Sequence, residues 1–211
     1  MQPSLPPVHI LGGGAQTGAY LLRVLLRAPA ALAFGRFNGG AALPLPAGVY
    51  VYAGSAMGAR GASSLARRLA RHATRGGSLP PHPIRAQMVA AFRAAGLGAG
   101  DPLPRRPKTC FWHIDYLLDQ PAAALTHVIA LRSPAPLEAA LAARLAADRC
   151  TAVVAPGLGA ADARGASHLL RVAAADVEAW WGALAAFCGE LAGGQRASNI
   201  TGQRAEARHN G

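Results

Sequence analysis

Short apolar segments, each closed by glycine or proline, limit this chain to a fold built around a small sheet. Residues 20–26 are mostly apolar and predict a buried strand, and residues 33–37 and 49–53 predict two more. The turn at residues 38–40 reads Asn-Gly-Gly, and these residue types accept the positive φ angles of a hairpin. The N-terminal half therefore predicts a small antiparallel sheet.

Helical signals follow these strands. Ser63 or Ser64 can cap a helix that ends near Thr74, and Leu65 and Leu69 lie four residues apart on its core side. Further helices are predicted at residues 84–95, 136–147 and 175–188, and further strands at 126–131, 151–155 and 168–172. We therefore predict an α+β protein with a small, mostly antiparallel central sheet flanked by helices.

The 211 residues provide one domain with elaborations. Residues 1–17, rich in proline and glycine, predict an irregular lead-in to a domain that spans residues 18–188. Residues 78–108 hold six prolines around one helix and are interpreted as an insertion that crosses the surface. Residues 189–211 are polar and predict a disordered tail.

Composition excludes several classes of protein. Three cysteines without CxxC spacing exclude a disulfide scaffold and a CxxC-type zinc site. No apolar run approaches the ~18 residues of a membrane-spanning helix. No positive charge precedes an apolar stretch in the first ten residues, as it would in a secretory signal. We therefore expect a cytoplasmic protein without a membrane partner.

The positive charge is concentrated in one segment. The net charge is +11, and residues 60–108 hold ten basic residues against one acid, which predicts a phosphate-facing surface. Arg67, Arg71 and Arg75 share one face of the predicted helix, at a spacing of four residues. The insertion could extend this surface with Arg85, Arg93, Arg105, Arg106 and Lys108. The alternative is GC-rich codon bias, because 20 of the 21 basic residues are arginine.

Several residues occur in an order that points to one family. A Gly-Ala-Tyr tripeptide ends at Tyr20, a Tyr-Ala-Gly tripeptide begins at Tyr52, Arg68 and His72 lie on the next helix, and Glu138 begins a later one. This order resembles the GIY-YIG nuclease superfamily. The resemblance is closest to a largely uncharacterised branch with a Trp-His-Ile-Asp-Tyr-Leu-Leu string, found here at residues 112–118.

The resemblance implies a phosphodiester-hydrolysing site. Tyr20 and Tyr52 would converge on the water and the scissile phosphate, and one of them would transfer a proton. Arg68 would bind a phosphate oxygen and stabilise the transition-state charge, because a guanidinium suits that geometry better than an amine. His72 would touch the phosphate or orient a partner. Glu138 would hold one Mg²⁺, with Mn²⁺ as a possible substitute.

Each of these residues also has an ordinary structural explanation. Tyr20 and Tyr52 fit half-buried sheet positions equally well. Arg68 could belong to a solvated helix face. Glu138 could be a first-turn acid that the helix dipole favours.

Three more polar residues could line the site. His113 and Asp115 lie two residues apart, so a strand would place them on one face and a helix would separate them. For both we favour a structural hydrogen-bonding role over a metal site. His168 fits either a lining residue or a satisfied strand histidine, and both readings stay open.

The sequence thus predicts a metal-dependent endonuclease that acts on nucleic acid, with DNA as the expected substrate. The alternative is a nucleic-acid-binding module that keeps the nuclease fold without catalysis. A third reading is a protein-interaction module whose arginine content is compositional.

Overall fold

The computed structural model describes residues 5–98, 100–159 and 167–207, with residues 195–207 described by their backbone alone. Within these residues the chain forms eight strands, five α-helices and two short 3-10 turns at Phe37–Gly40 and Gly61–Ser63. The strands are β1 (Val8–Gly12), β2 (Gly18–Leu26), β3 (Ala30–Leu32), β4 (Leu43–Leu45), β5 (Gly48–Ala56), β6 (Ala123–Arg132), β7 (Thr151–Val153) and β8 (Leu169–Val172). The helices are α1 (Leu65–His72), α2 (Ile84–Ala94), α3 (His113–Leu118), α4 (Glu138–Ala146) and α5 (Val177–Ala207).

Six of these strands form one mixed sheet, in the order β1-β6-β2-β5-β8-β7. The pair β1–β6 is parallel, and the other four pairs are antiparallel. Strands β3 and β4 form a separate antiparallel pair. The prediction of an α+β protein with a mostly antiparallel sheet flanked by helices is therefore confirmed.

Strand β2 lies inside the sheet and is buried on both faces. Because side chains alternate along a strand, Tyr20 and Leu22 face the layer formed by α1, α2 and α3, whereas Ala19 and Leu21 face α4 and α5. This arrangement explains why β2 is a continuous apolar run, since a strand covered on both faces has no solvent side to keep polar. The sheet thus separates two hydrophobic cores.

The predicted irregular lead-in is wrong for Val8–Gly12, which forms the edge strand β1. Val8 lies opposite Val128 and Gly12 lies opposite Arg132 in the parallel register with β6. The Val128 N–H also donates to the Pro7 carbonyl at 2.8 Å. The surrounding prolines and glycines mark the ends of this short strand, because proline is tolerated next to an edge strand.

The strand predicted at residues 33–37 is also wrong. The strand in this region is β3, which ends at Leu32 and pairs with β4. Phe34 instead is fully buried in the core. The turn chemistry is confirmed, since Asn38, Gly39 and Gly40 have φ angles of 52°, 64° and 83°.

The interpretation of residues 78–108 as a surface excursion is wrong for its helix. Ile84, Met88 and Phe92 are buried in the same core as α1, so α2 is part of the packed domain. The three residues recur every four positions, which is the spacing of a helix packed along one stripe. The prolines on either side are typical of a surface loop, whereas this apolar stripe indicates a packed helix.

The predicted disordered tail is wrong for residues 189–207, because α5 continues to Ala207. Leu184, Cys188 and Ala192 are buried at four-residue spacing, and this stripe extends beyond the end predicted at residue 188. Residues 160–166 and 208–211 lie outside the described residues. No helix in the described part of the chain is long and apolar enough to cross a membrane.

Candidate active site

The two tripeptides lie side by side on the neighbouring strands β2 and β5. Tyr20 is opposite Gly54 in the antiparallel register, and its ring lies against the glycine so closely that a Cβ at Gly54 would come within 2.6 Å of it. The ring centroids of Tyr20 and Tyr52 are 6.3 Å apart. The two tyrosines are 1 % and 3 % exposed. The sheet therefore brings them together in a buried position.

Helix α1 carries Arg68 and His72 one turn apart. Leu65 and Leu69 are fully buried, as the helical spacing predicts, and they fix which side of α1 faces the sheet. Ser64 precedes the first helical residue, but its hydroxyl donates to a loop carbonyl at 2.8 Å and does not cap the helix. The packing of α1 directs His72 towards Tyr20.

Tyr20, His72 and Asp115 form a buried hydrogen-bonded chain. The Tyr20 hydroxyl lies 2.9 Å from His72 Nε2, and His72 Nδ1 lies 3.2 Å from Asp115 Oδ1. Since an ionised carboxylate only accepts hydrogen bonds, His72 carries its proton on Nδ1 and presents Nε2 as an acceptor. The Tyr20 hydroxyl therefore donates to His72.

Asp115 is fully buried, and it is held as a carboxylate by several donors besides His72. These donors are Arg71 Nη1 at 2.8 Å, Lys108 Nζ at 3.4 Å and the backbone N–H groups of Phe111 and Trp112, both at 3.0 Å. Burial alone raises the pKa of Asp115, but the hydrogen bond from His72 and the charge of Lys108 outweigh burial and hold the pKa far below its usual range. Asp115 is therefore ionised at any physiological pH.

Burial sets the protonation of the other two members of the chain. It lowers the pKa of His72, although Asp115 partly opposes this, and it raises the pKa of Tyr20 well above 10, with Tyr52 adding to the effect. At neutral pH His72 is neutral and Tyr20 keeps its proton. Tyr20 alone is thus a poor base, and His72 is the group placed to receive its proton.

Ser55, near the end of β5, joins the predicted arginine to the predicted carboxylate. Arg68 Nη1 donates to the Ser55 carbonyl at 2.6 Å, and the Ser55 hydroxyl donates to Glu138 Oε2. Glu138 begins α4, which packs on the opposite face of the sheet from α1. The carboxylate thus reaches the end of β5 from one layer and the guanidinium from the other.

His168 completes the surroundings of the carboxylate. Its Nδ1 lies 2.9 Å from Glu138 Oε1, and its ring lies edge-to-face against Tyr52 with centroids 6.5 Å apart. Burial raises the pKa of Glu138, but His168 and Ser55 outweigh burial and lower it. His168 thus contacts two candidate site residues and also has a carboxylate partner, so both readings of this residue stay open.

A comparison with known families bears on the whole of this site. The model of the family described as "Domain of unknown function DUF123" matches residues 19–184. The chain belongs to the DUF123 family. No curated protein and no solved structure matches the chain. The DUF123 match includes Tyr20, Tyr52, Arg68, His72 and Glu138, so the candidate site lies inside the family's domain.

A divalent cation in this DUF123 domain would depend on a single carboxylate. Within the described ranges, no group of three or more His, Cys, Asp or Glu side chains is arranged to hold a metal ion. Mg²⁺ is commonly bound by one or two carboxylates together with water and substrate phosphate oxygens. Glu138 has a lowered pKa, and 28 % of its side chain is exposed. Glu138 is therefore the carboxylate here that could contribute a ligand to such an ion, and its two oxygens already have Ser55 and His168 as partners.

The predicted cationic face of α1 is wrong for two of its three arginines. Arg71 donates to Asp115 at 2.8 Å and to a loop carbonyl, whereas Arg75 donates to a β6 carbonyl and lies beside His82. The sequence spacing places the three residues on one face, but it cannot show that other segments pack against that face. Arg67 is half-buried like the other two, and its role as a phosphate-facing cation stays a prediction.

The motif at residues 112–118 forms the DUF123 domain's helix α3, and it separates His113 from Asp115. His113 Nδ1 accepts a hydrogen bond from the Gly159 N–H at 2.9 Å, and its ring contacts Phe37. The favoured structural roles agree with these contacts, although Asp115 also touches His72. Asp115 therefore supports the site through His72, on the side of the imidazole ring opposite Tyr20.

Sequence reasoning missed three residues at the site. Ser55 directly follows the Tyr-Ala-Gly tripeptide at residues 52–54, and this position could have revealed it. Lys108 was expected on the surface, but it is 6 % exposed and lies 2.8 Å from Asp119. Trp112 has the guanidinium carbons of Arg68 and Arg71 at 4.4 and 4.6 Å from its ring centroid. Trp112 thus holds the arginine side chains in place.

Proposed function

We propose that this DUF123 protein is a metal-dependent endonuclease that hydrolyses phosphodiester bonds of nucleic acid, with DNA as the expected substrate. The resemblance of its tripeptides and helices to the GIY-YIG nucleases supports the proposal. One observation carries it: Ser55 contacts both Arg68 and Glu138. A cation and a carboxylate therefore lie on either side of Ser55, both close enough to Tyr20 to shift its pKa, Arg68 downwards and Glu138 upwards.

Arg68 would bind the scissile phosphate. Its side chain is fixed by the Ser55 carbonyl and by the Trp112 ring. Its Nε is buried and has no hydrogen-bond partner among the described residues, so a phosphate oxygen that reached it would satisfy an unpaired donor. Such a fixed donor stabilises negative charge that develops in the transition state.

Tyr20 and His72 would move the proton of the attacking water. The Tyr20 oxygen can accept a proton from water while its own proton passes to His72 Nε2 along the 2.9 Å hydrogen bond. Asp115 lies on the other side of the ring and stabilises the imidazolium that forms. This path explains how a tyrosine with a raised pKa can still assist hydrolysis.

Glu138 would hold Mg²⁺, or Mn²⁺ in its place, together with water and phosphate oxygens. The metal ion would supply Lewis-acid stabilisation to the phosphoryl oxygens. The lowered pKa of Glu138 keeps the carboxylate ionised for this purpose.

The test compares Glu138→Gln with Glu190→Gln, the same substitution at an exposed position of α5. Each protein is incubated with duplex, single-stranded and branched DNA, with Mg²⁺ and with chelator. We expect Glu138→Gln to slow cleavage by at least about 100-fold, as loss of a charge-stabilising group does, and to leave binding unchanged. Wild-type protein that shows no metal-dependent cleavage of any substrate would contradict the proposal, and so would full activity in Glu138→Gln.

One observation favours a second candidate function, a nucleic-acid-binding module without catalysis. Tyr20, Tyr52 and His72 are 1 %, 3 % and 0 % exposed, so substrate reaches them only if the surrounding layers separate. This candidate predicts salt-sensitive binding to nucleic acid with no turnover. It also predicts that wild type and Glu138→Gln bind nucleic acid equally and that neither cleaves it.

A further inference from the structure

The side chain of Phe111 lies outside the hydrophobic core. It is 75 % exposed, the largest exposed fraction of any large hydrophobic residue in the described chain. Its backbone is nevertheless fixed, because its N–H donates to Asp115 at 3.0 Å, and its ring lies edge-to-face against Trp112 with centroids 4.9 Å apart. A rigidly mounted aromatic ring thus presents its surface to solvent.

Trp112 connects this ring to the candidate active site. The Trp112 ring lies 5.6 Å from the His72 ring and 4.4 Å from the guanidinium carbon of Arg68. Phe111 is therefore separated from the proposed phosphate-binding arginine by one aromatic side chain. A ligand that stacks on Phe111 would place its adjoining group near Arg68.

The surroundings favour a negatively charged partner. Arg105 and Arg106 are exposed and precede Phe111 by only a few residues. Neither has an ion-pair partner among the described residues. An apolar peptide has no charge that would pair with the arginines. A nucleotide has both a phosphate that the arginines can bind and a flat base that can stack on the ring.

We propose that Phe111 is a stacking platform for an unpaired nucleobase, and that the substrate class is nucleic acid with an unpaired nucleotide next to the cleaved bond. This inference rests on the proposed nuclease function and deepens it. Bases inside a duplex are already stacked and present only their edges in the grooves. Bases in single strands and bulges have free faces that aromatic side chains bind without regard to sequence.

The test measures binding of three fluorescently labelled DNAs by anisotropy: a single strand, its full duplex, and the duplex with one bulged nucleotide. Phe111→Ala is compared with Phe111→Trp, which keeps a ring, and with Val153→Ala, which truncates an exposed hydrophobic residue on β7. We expect Phe111→Ala to weaken binding of the single strand and the bulge by about tenfold and to leave duplex binding unchanged. Phe111→Trp restores binding, and Val153→Ala has no effect.

Two results would overturn the stacking proposal while leaving the nuclease intact. One is equal binding of all three DNAs by Phe111→Ala and wild type, with cleavage still present. The other is a change in sedimentation of the free protein on Phe111→Ala, which makes the ring a contact between protein chains. If wild-type protein binds none of the DNAs, the proposed function fails together with the platform.

Discussion

At the scale of single residues, Gly54 has no side chain, and this leaves room for the Tyr20 ring. The Tyr20 ring crosses the glycine so closely that any side chain there would displace it. The second tripeptide therefore ends in glycine for a steric reason: the position faces the neighbouring strand's tyrosine.

Replacing this glycine tests the contact. We expect Gly54→Ala to lower the free energy of unfolding by about 1–3 kcal/mol, because its Cβ overlaps the Tyr20 ring in a packed core. Gly182→Ala is the matched control, since a Cβ at that helical position meets nothing within 4 Å. Urea unfolding measures both. The penalty should shrink when Tyr20→Leu is also present, and an unchanged penalty would disprove the steric cause.

Asp115 is the residue on which the buried charges depend. If its carboxylate is neutralised, Arg71 loses this ion pair, and the buried Lys108 loses one of the two carboxylates beside it and keeps Asp119. We expect Asp115→Asn to lower the free energy of unfolding by about 3–5 kcal/mol, the cost of breaking a buried ion pair from one side. Urea unfolding at neutral pH measures it. Asp101→Asn, at an exposed acid, should change stability little, and equal effects of the two substitutions would contradict this view.

The residues of the site differ in how far sequence could predict them. Tyr20, Tyr52 and Glu138 follow from the order of motifs, because two strands and a helix carry them to one end of the sheet. Lys108 could not be predicted, since a lysine in a proline-rich stretch gives no sign that it lies between two carboxylates. A sequence shows which charges exist, but the partner that neutralises each one comes from packing.

At the scale of elements, the arginines of α1 differ in their contacts, and we expect them to differ in their roles. Arg75 donates to a β6 carbonyl, whereas Arg67 has no side-chain hydrogen bond or ion pair among the described residues. We expect Arg75→Ala to lower the free energy of unfolding by about 1–3 kcal/mol, because a buried carbonyl loses its donor. We expect Arg67→Ala to leave stability unchanged and to reduce the log–log salt slope of DNA binding by about one.

Thermal melting and salt-dependent DNA binding measure these two effects. An Arg75→Ala protein as stable as wild type, with the loss found in Arg67→Ala instead, would reverse the assignment.

The elements were predictable where their own spacing determines them. The central strands and α1 lie close to their predicted positions, because apolar residues alternate or recur in them regardless of partners. Strand β1 depends on pairing with β6, more than a hundred residues away, and its five residues alone do not distinguish it from a loop. Helix α5 passes its predicted end because the stripe at Cys188 and Ala192 packs on the sheet.

At the scale of the whole molecule, a buried histidine links stability to pH. His82 is 1 % exposed and accepts a hydrogen bond from the Leu125 N–H, and burial lowers its pKa to about 3. The unfolded chain binds a proton near pH 6.5 whereas the folded chain does not, so stability is full above that pH and falls as pH decreases towards 3.

The pH effect can be measured directly. We expect the free energy of unfolding to be about 1 kcal/mol lower at pH 5.5 than at pH 7.5 on account of His82. In His82→Gln the amide oxygen can still accept from Leu125, and the difference between the two pH values should shrink by that amount. Urea unfolding at both pH values measures it. A variant that keeps the full difference would remove His82 from this role.

The bridge through Ser55 joins two cores that the sheet keeps apart. Arg68 belongs to the half of the molecule that leaves the ribosome first, and Glu138 belongs to the half that follows. If the proposed chemistry is correct, a nascent, truncated or half-melted chain holds a guanidinium without its carboxylate and cuts nothing. Only the completely folded chain would then cleave DNA, so folding itself would prevent cleavage by incomplete chains.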